Sequence, residues 1–438
     1  MSTRSRGYVF REPARSLTTF KRGALGVLLL FGALQVQAAT LTLVDALDLA
    51  QNRSRQLVAQ DAAAGSARHM AVAAQQLPDP TVRASIDALP INGPDRFSLV
   101  RDNFTMRTIG VSQEWVREDK RRARGTRYER EAETAEASRA LALTELRRDT
   151  AIAWLDRYYQ ERIREVLLAQ RDETRLQAEA ADAAYRGGRG AQADVFAART
   201  AIALIEDRID QTERQVRSSK TQLARWVGDA AQWPLAERPS TDAVPLNAEE
   251  LEARFDHHPE IAVMFKKEAV AQAEVDLAIA NKRADWSVSL TYAQRGPSYS
   301  DFVFLGLSIP LQWDQKNRQE REVAAKLATL EQLRAEREEA TRRHVAETLQ
   351  MLQEWQTDRH RLERYETTLV PLATERAGAA LATYRGGSGS LSAVLEARRG
   401  AIDTRIDRLR LAMETDRLWA QLEYLIPADH ATRQAARP

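Results

Sequence analysis

The residues best suited to recognition chemistry stand in one short pattern that the chain carries twice. Tyr185-Arg186-Gly187-Gly188-Arg189-Gly190 runs into Ala191-Gln192-Ala193-Asp194-Val195-Phe196-Ala197-Ala198-Arg199. Tyr384-Arg385-Gly386-Gly387-Ser388-Gly389 runs into Ser390-Leu391-Ser392-Ala393-Val394-Leu395-Glu396-Ala397-Arg398. A guanidinium beside bare glycine backbone can pair with a partner's carboxylate while the partner's helix approaches closely. Tyr185, Arg186, Gly187, Gly188, Tyr384, Arg385, Gly386 and Gly387 are therefore candidate docking residues. The same glycines would also serve a plain helix reversal, because glycine accepts positive φ without a Cβ clash.

Other chemistry finds little purchase. There is no Gly-x-x-x-x-Gly-Lys phosphate loop, no His-Glu-x-x-His and no cysteine, so no catalytic residues and no cofactor are expected. His69-Met70 and His257-His258 are the only suggestive metal-ligand pairs, and neighbours on one helix diverge in direction, so no metal site is expected. A formal charge of +2, with acidic residues interleaved among basic ones, argues against a nucleic-acid partner.

Each glycine pattern sits between long helical stretches, so it marks the tip of an antiparallel helix pair, and two such tips mark an internal duplication. In the first copy, residues 40–228, a helix runs from Leu43 to about Leu77 and stops at Pro78-Asp79-Pro80. A β-hairpin spans 80–115. Thr81 to Ala88 alternates between polar and apolar residues, and Phe104 to Trp115 returns with an imperfect alternation that leaves room for a bulge. A long helix follows from about Asp119 to Ala184, then the tip at 185–190 and a helix of half that length to Val227. Residues 229–257 form an equatorial linker.

The second copy, 258–427, repeats the plan. It has a half-length helix from Pro259, a hairpin at 285–313, a second long helix that Pro371 must kink or break, the tip at 384–389, and a half-length helix from Leu391. In the hairpin Val303, Leu305, Leu307, Ile309 and Leu311 share one strand face. The tail 428–438 is expected to be disordered. Trp115 and Trp313 close their hairpins with charged residues just beyond, as suits aromatics at a membrane–water interface.

Residues 1–39 read as an export signal: scattered arginines and lysines, the apolar run Ala24 to Leu34, then Val36-Gln37-Ala38-Ala39 as a cleavage pattern. An uncleaved anchor is the other reading. No apolar run has the length of a membrane helix, so membrane entry would require a β-barrel. Four strands cannot close alone and unpaired edges are not tolerated in lipid, so several chains must pool their hairpins; three would supply twelve strands.

The doubled helix–hairpin–helix plan, the Tyr-x-x-Gly tips and the Val-x-x-Ala-Arg run after each resemble the TolC-like outer-membrane efflux protein family across nearly all of the chain after residue 39. The resemblance implies a mainly α fold with a small β part: long antiparallel hairpins forming a periplasmic α-barrel, and two β-hairpins contributing four strands to a twelve-stranded outer-membrane β-barrel. It implies a homotrimer in the outer membrane of a Gram-negative cell, with most of the chain in the periplasm. The tips would dock on a periplasmic adaptor joined to an inner-membrane pump of the RND type. It also implies a periplasmic gate, with Asp194 and Tyr384 at the positions of a helix-linking pair. The family's second link departs here, because Gly389 stands where it has arginine. The acidic constriction is altered, with Ala393 at one position and Glu396 following.

A narrower resemblance, to the heavy-metal efflux branch, rests on Leu77-Pro78-Asp79-Pro80, Leu89-Pro90-Ile91-Asn92-Gly93-Pro94 and Arg107-Thr108-Ile109-Gly110-Val111-Ser112-Gln113. The acylated cysteine of many members of that branch is absent. Drug efflux and type I protein secretion remain alternatives for the cargo. A periplasmic coiled-coil adaptor is a distant alternative for the whole, since it would carry one hairpin among soluble β segments.

Overall fold

A computed structural model describes residues 40–244 and 258–425. The export segment 1–39, residues 245–257 of the linker with His257, and the tail 428–438 lie outside the described residues.

The chain enters on α1 (Leu43–Arg53), opened by a capping box in which the Asp45 N–H donates to Thr42 Oγ1 at 3.0 Å. The single helix expected here is two. Ser54 has extended backbone, caps the end of α1, and its hydroxyl accepts from the Leu57 N–H to start α2 (Arg55–Ala74). β1 (Thr81–Asp87) and β2 (Met106–Trp115) then form the first hairpin. β2 starts two residues later than expected, because the Asp102 carboxylate accepts from the Phe104 and Thr105 N–H groups and holds them in a turn. The β1–β2 register is continuous and carries no bulge.

α3 (Glu118–Arg186) runs 69 residues without interruption, about 100 Å at the α-helical rise. It is the spine of the fold. Its first part packs on α2 and α5 (Pro259–Ala280), its second on α4 (Gln192–Val227) and α8 (Leu391–Glu423). α5 (Pro259–Ala280) has Pro259 in its first turn, where a missing N–H costs nothing. β3 (Trp286–Gln294) and β4 (Phe302–Ser308) make the second hairpin. β4 ends three residues before the expected Leu311, next to Pro310, which has no N–H for a ladder.

The second long helix is α6 (Gln319–Arg364), a π turn (Tyr365–Leu369) and α7 (Val370–Arg385). The break expected at Pro371 is this π turn: a proline ring clashes with the carbonyl four residues back, here Thr367, and the wider turn relieves it. α8 (Leu391–Glu423) completes the chain.

The two hairpins merge into one sheet of order β1-β2-β3-β4, with every neighbour antiparallel. The registers put Val82, Ala84, Ile86, Ile109, Val111, Trp115, Trp286, Val288, Leu290, Tyr292, Val303, Leu305 and Leu307 on one face. Thr81, Arg83, Ser85, Thr108, Ser112, Ser289 and Thr291 lie on the other. The apolar face is bare: Val82 is 69% exposed and Leu305 79%. The main core lies elsewhere, where Trp154, Leu155, Leu223, Trp355 and Ala420 pack α3, α4, α6 and α8 together.

Candidate functional sites at the tips, the equator and the sheet

The two tips share one backbone. At the first, Gly187, Gly188, Arg189 and Gly190 donate N–H groups to the carbonyls of Ala183, Tyr185, Ala184 and Ala184; at the second, Gly386, Gly387, Ser388 and Gly389 donate to Ala382, Tyr384, Thr383 and Thr383. Gly188 and Gly387 carry the positive φ, +71° and +78°, whereas Gly187 and Gly386 keep a negative φ, −81° and −74°. A Cβ on Gly190 would lie 3.1 Å from Ala184 Cβ, and one on Gly389 3.0 Å from the Tyr384 nitrogen. A side chain at either position would press on the last turn of the preceding helix by a few tenths of an ångström. Of the run after each tip, Val195, Ala198, Val394 and Ala397 are buried, and Val195 and Val394 join Ala181 and Leu391 in a small core that Tyr384 packs against.

The charges at the tips differ. Arg186 pairs with Asp182 at 2.6 Å, with Arg199 4.0 Å from the same carboxylate. Leu381 stands where the second tip would need that aspartate, and among the described residues Arg385 has no ion-pair partner. Asp194 lies in the first turn of α4, where the helix dipole favours a carboxylate, and it does not bond Tyr384 within this single chain. Glu396 is exposed on α8 and lines a cleft of about 470 Å³ with Thr174, Leu204, Arg208 and Ile402.

The equator holds polar residues that sequence reading did not single out. Arg157, 1% exposed, donates to the linker carbonyls of Ala231 and Trp233, both at 2.8 Å, and to Glu161. Trp154 Nε1 donates to the Leu41 carbonyl. The buried Asp416 carboxylate on α8 accepts from Tyr159 at 2.5 Å and Thr241 at 2.7 Å and faces Arg238 at 3.4 Å. Burial pushes the Asp416 carboxyl up, against the hydrogen bonds of Thr241 and Tyr159 and the charge of Arg238. The Tyr159–Asp416 pair spans 257 positions, and no local pattern announces it.

The histidines do not gather into a metal centre. His69 is exposed on α2. His258 is buried at the start of α5 with its ring 4.9 Å from that of His344, whose Nε2 lies 2.9 Å from Glu260. Burial, then the neighbouring His344, hold the His258 pKa down to about 4. Among the described residues no group of three or more His, Cys, Asp or Glu side chains could hold a metal ion.

At the base of the sheet Trp115 stacks on Trp286, centroids 4.9 Å apart and planes 9° from parallel. Trp286 is thus a partner that sequence reading passed over, although it opens the cleanest alternation in the chain. Trp313 lies outside the strands and is 86% exposed.

Long helical hairpins carrying a small sheet with one bare apolar face define the TolC-like fold of outer-membrane channel proteins. No family model matches the chain, and no curated protein sequence matches it. Solved structures do. The CmeC outer membrane channel of Campylobacter jejuni superposes with a TM-score of 0.73 at 12% identity, over 90% of this chain and 88% of that one. The outer membrane protein VceC of Vibrio cholerae gives 0.71 at 20% identity, over 87% and 95%. CusC, described as forming a transmembrane channel, gives 0.68 at 14% identity, over 88% and 92%.

Proposed function

We propose that the chain is one stave of an outer-membrane exit duct, a homotrimer that passes substrate from a periplasmic adaptor and inner-membrane pump to the outside. The observation that carries this is the sheet. It has two unpaired edge strands, β1 and β4, an exposed face that is largely apolar apart from Arg107, Gln113 and Gln294, and a more polar face behind it that also carries Phe302 and Phe304. In lipid such edges must be closed, and apolar-out, polar-in alternation is the pattern of a barrel wall around a wet lumen. Among the described residues no helix is long and apolar enough to cross a membrane, so the sheet is what would enter it. Energy for transport comes from the partner pump. Fold likeness to known outer-membrane channels supports the same reading.

Docking is assigned to the tips, Tyr185 to Gly188 and Tyr384 to Gly387, and gating to Asp194, Tyr384 and Glu396. The cargo we assign is heavy-metal cations, on the resemblance of the 77–80, 89–94 and 107–113 segments. A conduit needs no tight site for what it passes. The test of the duct is assembly and conductance: detergent-purified protein should run as a heat-sensitive trimer and open pores in a planar bilayer. A water-soluble monomer would end the proposal. The cargo is tested by a deletion strain challenged with zinc, cobalt, cadmium and copper. Sensitivity to dyes and antibiotics alone would reassign it to drug efflux.

A further inference from the structure

The lumen face of a barrel wall is its polar one, and on this sheet that face carries two phenylalanines. We propose that Phe302 and Phe304, braced by Arg295, form an aromatic collar that narrows the outer mouth of the duct and keeps bulky solutes from entering it from outside. The collar rests on the barrel reading above.

The registers fix where the two rings stand. Phe302 pairs with Ala293 and Phe304 with Thr291, so both lie on the face of Ser85, Thr108, Ser112 and Ser289. Both belong to the end of the sheet where the hairpins turn. The opposite end is tied to the helices: β2 passes through Val116 and Arg117 into α3, and α5 leads up to β3. With the helices in the periplasm, the turn end is the outer one.

Bulk is unevenly spread along this face. On β4 it reads Phe302, Phe304, Gly306, Ser308 from the outer end inward. The row just inside the rings is Thr81, Ser112, Ser289 and Gly306. A Cβ on Gly306 would lie 2.5 Å from Ser289 Oγ, so that row presents small polar groups and bare backbone. Of the other long side chains on the face, Arg83, Asp87 and Glu114 are charged, and Met106 stands at the outer end with the rings. Phe302 is 41% exposed and Phe304 48%. A wet lumen favours polar side chains, whereas apolar constrictions in pores act as barriers. Twelve strands spaced about 4.8 Å and tilted about 40° enclose a lumen about 24 Å across between backbones, into which each copy turns two phenyl rings.

The rings are held in place. Their centroids lie 6.0 Å apart, and the Arg295 guanidinium sits 4.4 Å from the Phe302 centroid and 5.3 Å from that of Tyr299. Arg295 in turn donates to the Ser300 carbonyl at 2.8 Å and, across to the loop of the first hairpin, to the Asn103 carbonyl at 3.0 Å. A Cβ on Gly296 would lie 1.8 Å from the Val100 carbonyl oxygen, so the second turn is pressed against that loop. Both hairpins therefore fix the guanidinium on which Phe302 rests.

The chain has no cysteine, so a single introduced one reports what reaches it. Ser112 lies on the lumen face one row inside the rings, and Val111 beside it on the lipid face. On intact cells a maleimide carrying a long polyethylene glycol chain cannot cross the outer membrane and reaches Ser112→Cys only through the mouth. It should label Ser112→Cys/Phe302→Ser/Phe304→Ser at least about tenfold faster than Ser112→Cys alone. Equal rates overturn the collar and leave the barrel standing. Where the double replacement prevents heat-sensitive trimers, Phe304→Ser makes the same comparison, since it leaves Arg295 on Phe302; an unchanged rate there overturns the collar as well. A small charged maleimide tests the barrel separately. It should label Ser112→Cys and spare Val111→Cys, and the reverse pattern overturns the barrel reading itself.

Discussion

The two repeats are alike in backbone and unlike in charge. Their tips make the same hydrogen bonds, residue for residue, and place positive φ at the same glycine. Yet Arg186 is neutralised by Asp182, while Arg385 stands beside Leu381 and, among the described residues, has no ion-pair partner. Asp194 in one repeat answers to Ala393 in the other, and Ala197 to Glu396. The long helices differ too, one continuous and the other opened by a π turn. Backbone reversal tolerates few residues, so its glycines persist in both copies; exposed charges obey no such constraint and diverge. The tips are one shape carrying two surfaces.

The largest effect should come from breaking what only the first repeat's long helix supplies. Arg157→Met leaves the Ala231 and Trp233 carbonyls without their donor, while Glu161 keeps Lys220, and a buried acceptor left unsatisfied costs about 1–3 kcal/mol. A thermal melt should fall by several degrees; an unchanged midpoint would remove the linker clamp.

A second comparison is pH. The His258 pKa is lowered from 6.5 to about 4, so the unfolded chain binds the proton first. Stability from this residue is present above about 6.5, is lost as pH falls toward 4, and amounts to about 3 kcal/mol in all. Denaturant midpoints of His258→Gln should lose this slope between pH 6.5 and 4. A slope that persists would place the proton elsewhere.

Gly188→Val and Gly387→Val test the shared shape. Each forces a β-branched residue to positive φ, at about 1–2 kcal/mol. Both should abolish efflux while leaving trimers in the membrane; undiminished efflux in either would remove docking from that tip. The smallest effect should separate the surfaces. Arg385→Glu should weaken adaptor capture more than Arg186→Glu, by about 1 kcal/mol or less, since Arg186 is already paired. Equal losses would make the two surfaces equivalent.

Much of the fold is legible without coordinates because it is periodic. Val82, Ala84 and Ile86 announce a two-sided strand, and the glycine tips announce reversals. The break at Ser54 was hidden by an alanine-rich run that reads as one helix, although a serine there is an N-cap residue. Pro371 is visible in the sequence as a disturbance, but the form it takes, a π turn over Tyr365–Leu369, is shown only by the structure. No local pattern marks Asp416 or Arg157, because their partners come from the linker: Ala231 and Trp233 for Arg157, Arg238 and Thr241 for Asp416. The stacking of Trp286 on Trp115 joins residues that lie close only in three dimensions.

What the amino-acid order alone determined is the duplication, the two hairpins and the two-sided alternation of β1 and β3. These depend on residue type and spacing within a few turns or pleats. Tertiary structure decided that β2 of the first repeat pairs with β3 of the second, that Trp115 meets Trp286, and that a carboxylate on α8 takes its hydrogen bonds from α3 and the linker. The reason is that a local pattern states which face a residue must turn, whereas its partner is settled only when distant segments compete to satisfy the same buried groups and the same open edge.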